Sequence, residues 1–371
     1  MGKRIFVTQP DVPPLEQFQE SLKDIWKSRW LTNIGKYHKQ FEKAICDYLN
    51  VDNCSLFCNG TLALIVGLQA LRITGEVITT PYSFVATSNA LHWNGITPVF
   101  CDIDPETFNI DAAKIESLIT PKTTAILPVH VYGNPCNMEE IERIADIYGL
   151  RVIYDAAHAF GVEYKGKTVT DWGDLSILSF HSTKVFNTIE GGAVITKDKK
   201  FKKRIDYLKN FGFANEVTVV APGINGKMNE LQAAYGLLQL EHFEDNREKR
   251  KQIASFYRKE LADVPGVKVF NDLEDVKHNY PYFPILVNEH EYGISRDDLN
   301  ELFRSNDIFT RRYFYPLISQ FPTYKGFPSA KRGLLSVAEK ISREVLCLPI
   351  FPYLERNDQI RIVKILKSVR P

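Results

Sequence analysis

LSILSFHSTKVFNTIEGGAVIT (residues 175–196) holds two short apolar runs, Leu175 to Phe180 and Gly192 to Thr196, on either side of a polar loop that contains one lysine. Apolar runs of this length, bounded by turn-forming residues, read as buried strands. Further back, the same reading applies to Arg151 to Asp155, Ala125 to Val131, Thr97 to Asp102 and Glu76 to Thr80. Helical patterns fill the intervals. Leu64, Leu68 and Leu71 fall at i, i+4 and i+7, with Ile65 three before Leu68, and mark the buried face of a helix that starts just after Asn59 and Gly60. This alternation predicts an α/β domain with a mostly parallel sheet.

The flanks look different. Leu15 to Asp24 and Tyr37 to Leu49 read as amphipathic helices separated by the turn-rich WLTNIG, and Met228 to Arg250 as one long helix leading away from the sheet. Beyond it, strands near Tyr282 to Val287 and a last helix near Asp358 to Val369 suggest a smaller α+β domain. The expected division is 1–245, the N-terminal helices and large domain, and 246–371, the small C-terminal domain.

Of 371 residues, 46 are Lys or Arg and 45 are Asp or Glu, a net charge of +1. That balance argues against a nucleic-acid binder or a polyacidic scaffold. The longest apolar stretches, such as Leu62 to Val66, are far short of the roughly 18 residues a membrane span needs. The N-terminus MGKRIFVTQPDVPP has no apolar core of a secretory signal, and Phe6 stands where a myristoylated Gly2 would want Ser or Thr. A cytoplasmic protein is expected. Six cysteines without a CxxC pair make neither a disulfide framework nor a zinc site, so reduced and mostly buried thiols are expected. The basic run Lys197 to Arg204 has helical Phe201/Ile205 spacing and reads as a solvated helix face.

In α/β sheets functional groups gather at the carboxyl ends of strands and at helix N-termini. Three segments put reactive residue types there: FCNGTLAL (57–64), VIYDAAHAFG (152–161) and LSFHSTKVFNTIEGG (178–192). Lys184 follows a strand in a stretch otherwise short of charge until Glu190. Alone it reads as a surface lysine far more readily than as a catalytic one. Asp155 closes its strand, with Ala156 and Ala157 leaving room for a planar group; helix cap, metal ligand and partner of a buried cation are all open to it. Gly60 and Thr61 open a helix whose free N–H groups and dipole would hold a phosphate, unless Asn59-Gly60 is simply a turn. Ser179 could add a hydroxyl. A phosphate cradle, a strand-end carboxylate and a lysine together describe a site for pyridoxal 5′-phosphate, with Lys184 joined to the cofactor aldehyde and Asp155 keeping the ring nitrogen protonated. Two enzymatic alternatives stand beside it. Asp155, His158 and His181 could form a two-His, one-carboxylate metal triad, which leaves Lys184 without a role. A Ser-His-Asp hydrolase lacks its G-x-S-x-G elbow. A regulator that binds the cofactor without turnover is the non-enzymatic alternative.

SFHSTKVFNTIEGG, YDAAHAFG, FCNGTLAL, TTPYSFVATSNA and PGINGKMNELQAAYG, in this order, resemble the sugar-nucleotide aminotransferases of the DegT/StrS family, and the likeness runs from WLTNIGKYHKQFEKAI to LCLPIFPYLE. The resemblance implies the aspartate-aminotransferase fold (fold type I) and pyridoxal phosphate. It implies Lys184 as the lysine that carries the cofactor and Asp155 as the partner of its ring nitrogen. His158 matches a position near the ring hydroxyl, Phe84 the aromatic stacked on the ring, and Gly60, Thr61 and Ser179 the phosphate contacts. Asn225 matches a residue that reaches the phosphate from the neighbouring subunit, which implies a homodimer with shared sites. Lys227 stands where the family often has Arg, keeping the charge without the bidentate grip. No metal is implied. VTQPDVPPLEQF, WLTNIGKYH and KNFGFANEVTVVAPGINGKMNE look most like members that aminate dTDP-4-keto-6-deoxyglucose at C4 with L-glutamate, those acting at C3 coming second. For the nucleotide diphosphate, Lys36, Arg311, Arg312, Tyr313 and Tyr315 are candidate contacts, and each could equally be a surface or packing residue.

Overall fold

A computed structural model describes residues 4–369, so Gly2, weighed above as an acylation site, lies outside the described residues. The main sheet has seven strands: β1 (Asn53–Phe57), β2 (Glu76–Thr79), β3 (Thr97–Phe100), β4 (Thr123–Leu127), β5 (Arg151–Asp155), β6 (Leu175–Ser179) and β7 (Gly192–Thr196). Their spatial order is β1-β7-β6-β5-β4-β2-β3. Only β7 runs against its neighbours, pairing antiparallel with β1 and β6; the remaining pairs are parallel. All six expected strands are present with ends displaced by a few residues, and β1 is an addition.

Helices cover both faces, as a largely parallel sheet requires. The period of two along each strand sorts its side chains between two cores. Val152 and Tyr154 of β5 join the core under α2 (Lys36–Leu49) and α5 (Met138–Tyr148). Ile153 joins the opposite core, under α3 (Gly60–Ala70), α4 (Ala86–Trp93) and α6 (Lys199–Leu208). The first helix, α1 (Leu15–Ser28), packs on α7 (Glu230–Leu261).

Helix α7 opens with a capping box, in which Asn229 accepts from the Gln232 N–H and the Gln232 side chain accepts from the Asn229 N–H. At 32 residues it is about 48 Å long. It runs unbroken across position 245/246, where the sequence placed the domain division. Past it, Val267–Val269, Phe283–Val287 and Val345–Leu348 form an antiparallel three-stranded sheet with its own core. Ile5 belongs to that C-terminal core, because Ile5–Phe6 pairs with Ile308–Phe309.

All six cysteines are free thiols, four of them buried. The basic run lies mainly on α6, where Lys202 pairs with Glu42 and Asp206 at 2.7 and 2.6 Å.

Candidate active site

The strand directions bring Phe57 of β1, Asp155 of β5, Ser179 of β6 and the first residue of β7 to one edge of the sheet. Gly192 is paired there with both Phe57 and Ser179. A cavity of about 680 Å³ opens at this edge. Gly60, Thr61, Phe84, Asp155, His158, Ser179, Lys184 and Tyr313 all line it.

At one end lies the start of α3. Asn59 caps the helix by accepting from the Leu62 N–H at 2.8 Å, which leaves the N–H groups of Gly60 and Thr61 without hydrogen bonds among the described residues. The backbone there is crowded. A Cβ on Gly192 would lie 2.7 Å from Gly60 N, and one on Gly60 would lie 3.0 Å from the Ser179 Cβ. At Gly192 the clash would be with backbone, so only glycine there lets the helix start sit against the ends of β6 and β7, while a side chain at Gly60 would press on Ser179. The result is a cup of unpaired donors beside a hydroxyl, at the positive end of a helix dipole.

Asp155 is 4% exposed. Its Oδ2 accepts from the Thr87 hydroxyl at 2.7 Å and its Oδ1 from the Ala157 N–H at 3.1 Å. Burial pushes its pKa up, while those two hydrogen bonds and the charge of Lys184 pull the other way. No cation among the described residues forms an ion pair with it, so the carboxylate is poised for one brought by a ligand.

Lys184 sits in the loop between β6 and β7, its N–H donating to His181 O at 2.8 Å. Desolvation lowers its ammonium from 10.5 to about 8, with Asp155 opposing. No hydrogen bond or ion pair among the described residues holds its Nζ. Phe84 is 59% exposed, an apolar ring face offered to the cavity.

His158 is buried, and desolvation holds its pKa well below the usual value, so the ring is neutral. Its Nδ1 accepts from the Tyr132 N–H at 3.3 Å, which assigns the proton to Nε2. Phe314 lies parallel to the ring, with centroids 5.8 Å apart, and Tyr282 meets it edge-on. Tyr313 faces the cavity, and its carbonyl accepts from Tyr82 at 3.0 Å and from Tyr132.

The other candidates lie outside the cavity of a single chain. Lys36 pairs with Asp24 at 2.7 Å on the surface. Lys227 donates to Asn210 Oδ1 at 2.7 Å and covers the Phe211 ring, because the β1 edge draws it inward beside Phe57. Arg311 is exposed and pairs through its backbone with Cys347. Arg312 binds Asp297 at 2.8 Å and, with Arg296, stacks on Tyr315. Asn225 is exposed in a loop following α6, bridged by its backbone to Asn210. Nor do Asp155, His158 and His181 gather as metal ligands, since among the described residues no group of three His, Cys, Asp or Glu does.

Sequence reasoning passed over Thr87, Ser83, Tyr282, Phe314 and Gly192. TTPYSFVATSNA contained the signal for the first two, since Ser83, Phe84 and Thr87 lie within one turn of a helix start. Phe314 and Tyr282 come from the C-terminal domain, and no local pattern ties them to His158.

Residues 15–367 match the DegT/DnrJ/EryC1/StrS aminotransferase family. A relative from Escherichia coli named dTDP-4-amino-4,6-dideoxy-D-glucose transaminase is 53% identical over 365 residues, 98% of each chain. Among solved structures, DesI in the presence of its TDP-sugar product superposes with a TM-score of 0.95 at 35% identity, covering 99% of this chain and 93% of DesI. NtdA from Bacillus subtilis with bound cofactor PMP gives 0.88 at 32% identity, covering 96% and 81%. The α/β fold, the cavity at the strand ends and a family match over nearly the whole length agree: the chain belongs to the DegT/DnrJ/EryC1/StrS aminotransferase family and is an enzyme of the transferase class.

Proposed function

We propose that this enzyme uses pyridoxal 5′-phosphate to move the amino group of L-glutamate to C4 of dTDP-4-keto-6-deoxy-D-glucose, giving dTDP-4-amino-4,6-dideoxy-D-glucose and 2-oxoglutarate. The observation that carries the chemistry is the grouping, around one cavity, of N–H donors at the start of α3 and a buried carboxylate, neither with a partner cation or acceptor among the described residues beyond those named above, and a lysine whose ammonium is weakened to about 8. The name of the 53% identical relative supports the sugar and the C4 position.

The residues fit the cofactor. Gly60, Thr61 and Ser179 suit a phosphate, Asp155 a protonated ring nitrogen, and Phe84 the face of a planar ring. His158 offers Nε2–H to a ring oxygen. When bound, pyridoxal phosphate supplies an electron sink that accepts the charge left as a C–H proton departs. The chain's own part is orientation and proton movement. Asp155 keeps a proton on the ring nitrogen. Lys184 takes and returns the proton at the substrate carbon, and needs a neutral Nζ to do so. At pKa 8 roughly a tenth of the amines are neutral at pH 7, against about three in ten thousand at 10.5.

Assembly completes the proposal. Asn225 is exposed and outside its own chain's cavity, which suits a homodimer in which it serves the partner's site. No helix among the described residues is long and apolar enough to cross a membrane, and we place the enzyme in the cytoplasm. Incubation of the purified, cofactor-loaded protein with glutamate and dTDP-4-keto-6-deoxyglucose, followed by NMR of the product, tests the reading. An amine on C4 is expected. No product from the 4-keto sugar but a C3 amine from its 3-keto-6-deoxy isomer would correct the position, and no amino sugar from any of a panel of keto-sugar nucleotides would remove the substrate class.

A further inference from the structure

We propose that Thr87, backed by Ser83, is a positioning residue for Asp155: its hydroxyl fixes the carboxylate in one plane and holds it as a pure acceptor toward the ring nitrogen of the cofactor. This rests on the cofactor reading above. Thr87 is 1% exposed in the first turn of α4, and its Oγ1 lies 2.7 Å from Asp155 Oδ2. Ser83 Oγ lies 3.0 Å from Thr87 Oγ1. The direction of this chain of hydroxyls follows from the inventory of donors. An ionised carboxylate cannot donate, so the Thr87 proton goes to Asp155 and the Ser83 proton goes to Thr87. Donors in series polarise one another in a buried site.

The second carboxylate oxygen is held from another element, by the Ala157 N–H just past β5. With one hydrogen bond on each oxygen from two different segments, Asp155 cannot rotate about its last torsion without breaking one of them. Each oxygen keeps a lone pair for a ligand. The start of α4 also brings the positive end of a helix dipole to the carboxylate. Against these acts the desolvation that favours the protonated acid. A protonated Asp155 would offer a hydrogen where the ring nitrogen needs an acceptor. Removing the Thr87 hydroxyl therefore acts on the protonation of the bound ring, which a residue serving only to fill space would not touch.

The test uses full-length protein reconstituted with pyridoxal phosphate carrying 15N in the ring. The wild type is expected to give the chemical shift of a protonated ring nitrogen. Thr87→Val is expected to move that shift toward the unprotonated value and to release the cofactor roughly ten-fold faster or more, the loss of a hydrogen bond to a charged group. Thr87→Ser, which keeps the hydroxyl, should stay within a few-fold of wild type on both measures. Ser83→Ala should shift both in the direction of Thr87→Val by less. Wild-type ring signal and release rate in Thr87→Val would overturn the proposal. Should that variant not fold, Thr87→Ala against Thr87→Ser is read in the same way. A wild-type protein that takes up no labelled cofactor would instead sink the cofactor reading itself.

Discussion

At the scale of single residues, the proposed chemistry depends on how much of Lys184 is unprotonated. Condensation with an aldehyde needs the neutral amine, so the rate at which cofactor-free protein captures pyridoxal phosphate should rise with pH and level off above about 8. An unperturbed lysine would place that midpoint near 10.5. Asp155→Asn removes the charge that raises the Lys184 pKa, so the midpoint should move below 8. Stopped-flow absorbance across pH 6–11 on both proteins measures this. A midpoint near 10 in the wild type, or an upward move in Asp155→Asn, would contradict the desolvated site. Lys184, Asp155 and Gly60 are each ordinary alone at a strand end or helix start, and stood out in the sequence only because the three occur together; the fold brings them to one cavity. Thr87 was passed over although its motif was noted: a threonine within a helix is ordinary, and its hydrogen bond to Asp155 exists only because α4 docks with that side chain against the end of β5. Lys36, Arg311 and Arg312 lie outside the cavity of their own chain, and Asp24 and Asp297 engage Lys36 and Arg312 on the surface, so a cation near a motif does not by its charge alone come to that cavity.

At the scale of elements, the phosphate cup depends on the approach of α3 to β6 and β7. Gly192→Ala would put a methyl group 2.7 Å from Gly60 N and 2.8 Å from the carbonyl carbon of Asn59. These are backbone atoms that cannot rotate aside, so the start of α3 must shift. We expect a loss of about 1–3 kcal/mol in stability from overpacking, and at least a ten-fold weaker hold on pyridoxal phosphate, roughly 1.4 kcal/mol. Thermal melts of the cofactor-free and loaded forms read both effects. A variant with wild-type melting in both forms would show that the close approach is not needed. The elements themselves were legible wherever period or length was clear. β1 was absent from the expected strands: NCSLF is short, opens with an amide and carries a serine. Its burial comes from β7 beside it and from α2 and α3 over its two faces, none of which its own five residues encode. Ser55 is buried there because its hydroxyl reaches Asp206 of α6 at 2.9 Å.

At the scale of the whole molecule, α7 carries the chain from the sheet to the C-terminal core without a break. The sequence supplied the long helix but no residue marking where one domain stops, because helix periodicity does not change at position 245. The segment after α6 poses a larger question. Val217 is 87% exposed, Val219 57% and Val220 54%, and Phe211 and Phe213 are exposed as well. So many apolar side chains on one short stretch suit a surface that another protein covers. A second copy of this chain is the occupant we propose, and the arrangement makes a counting prediction. If Asn225 serves the partner's cavity, a dimer of one Lys184→Ala chain with one Asn225→Ala chain has one site lacking both residues and one site intact. Each variant alone has no intact site. Random mixing of equal amounts makes half of the dimers mixed, so activity at limiting cofactor should return to roughly a quarter of wild type. Were Asn225 to serve its own chain, every site in the mixture would lack one residue or the other, and activity would not exceed the average of the two parents. Co-expression with two affinity tags isolates the mixed species, in which the first arrangement gives half of wild-type activity and the second gives none above the parents.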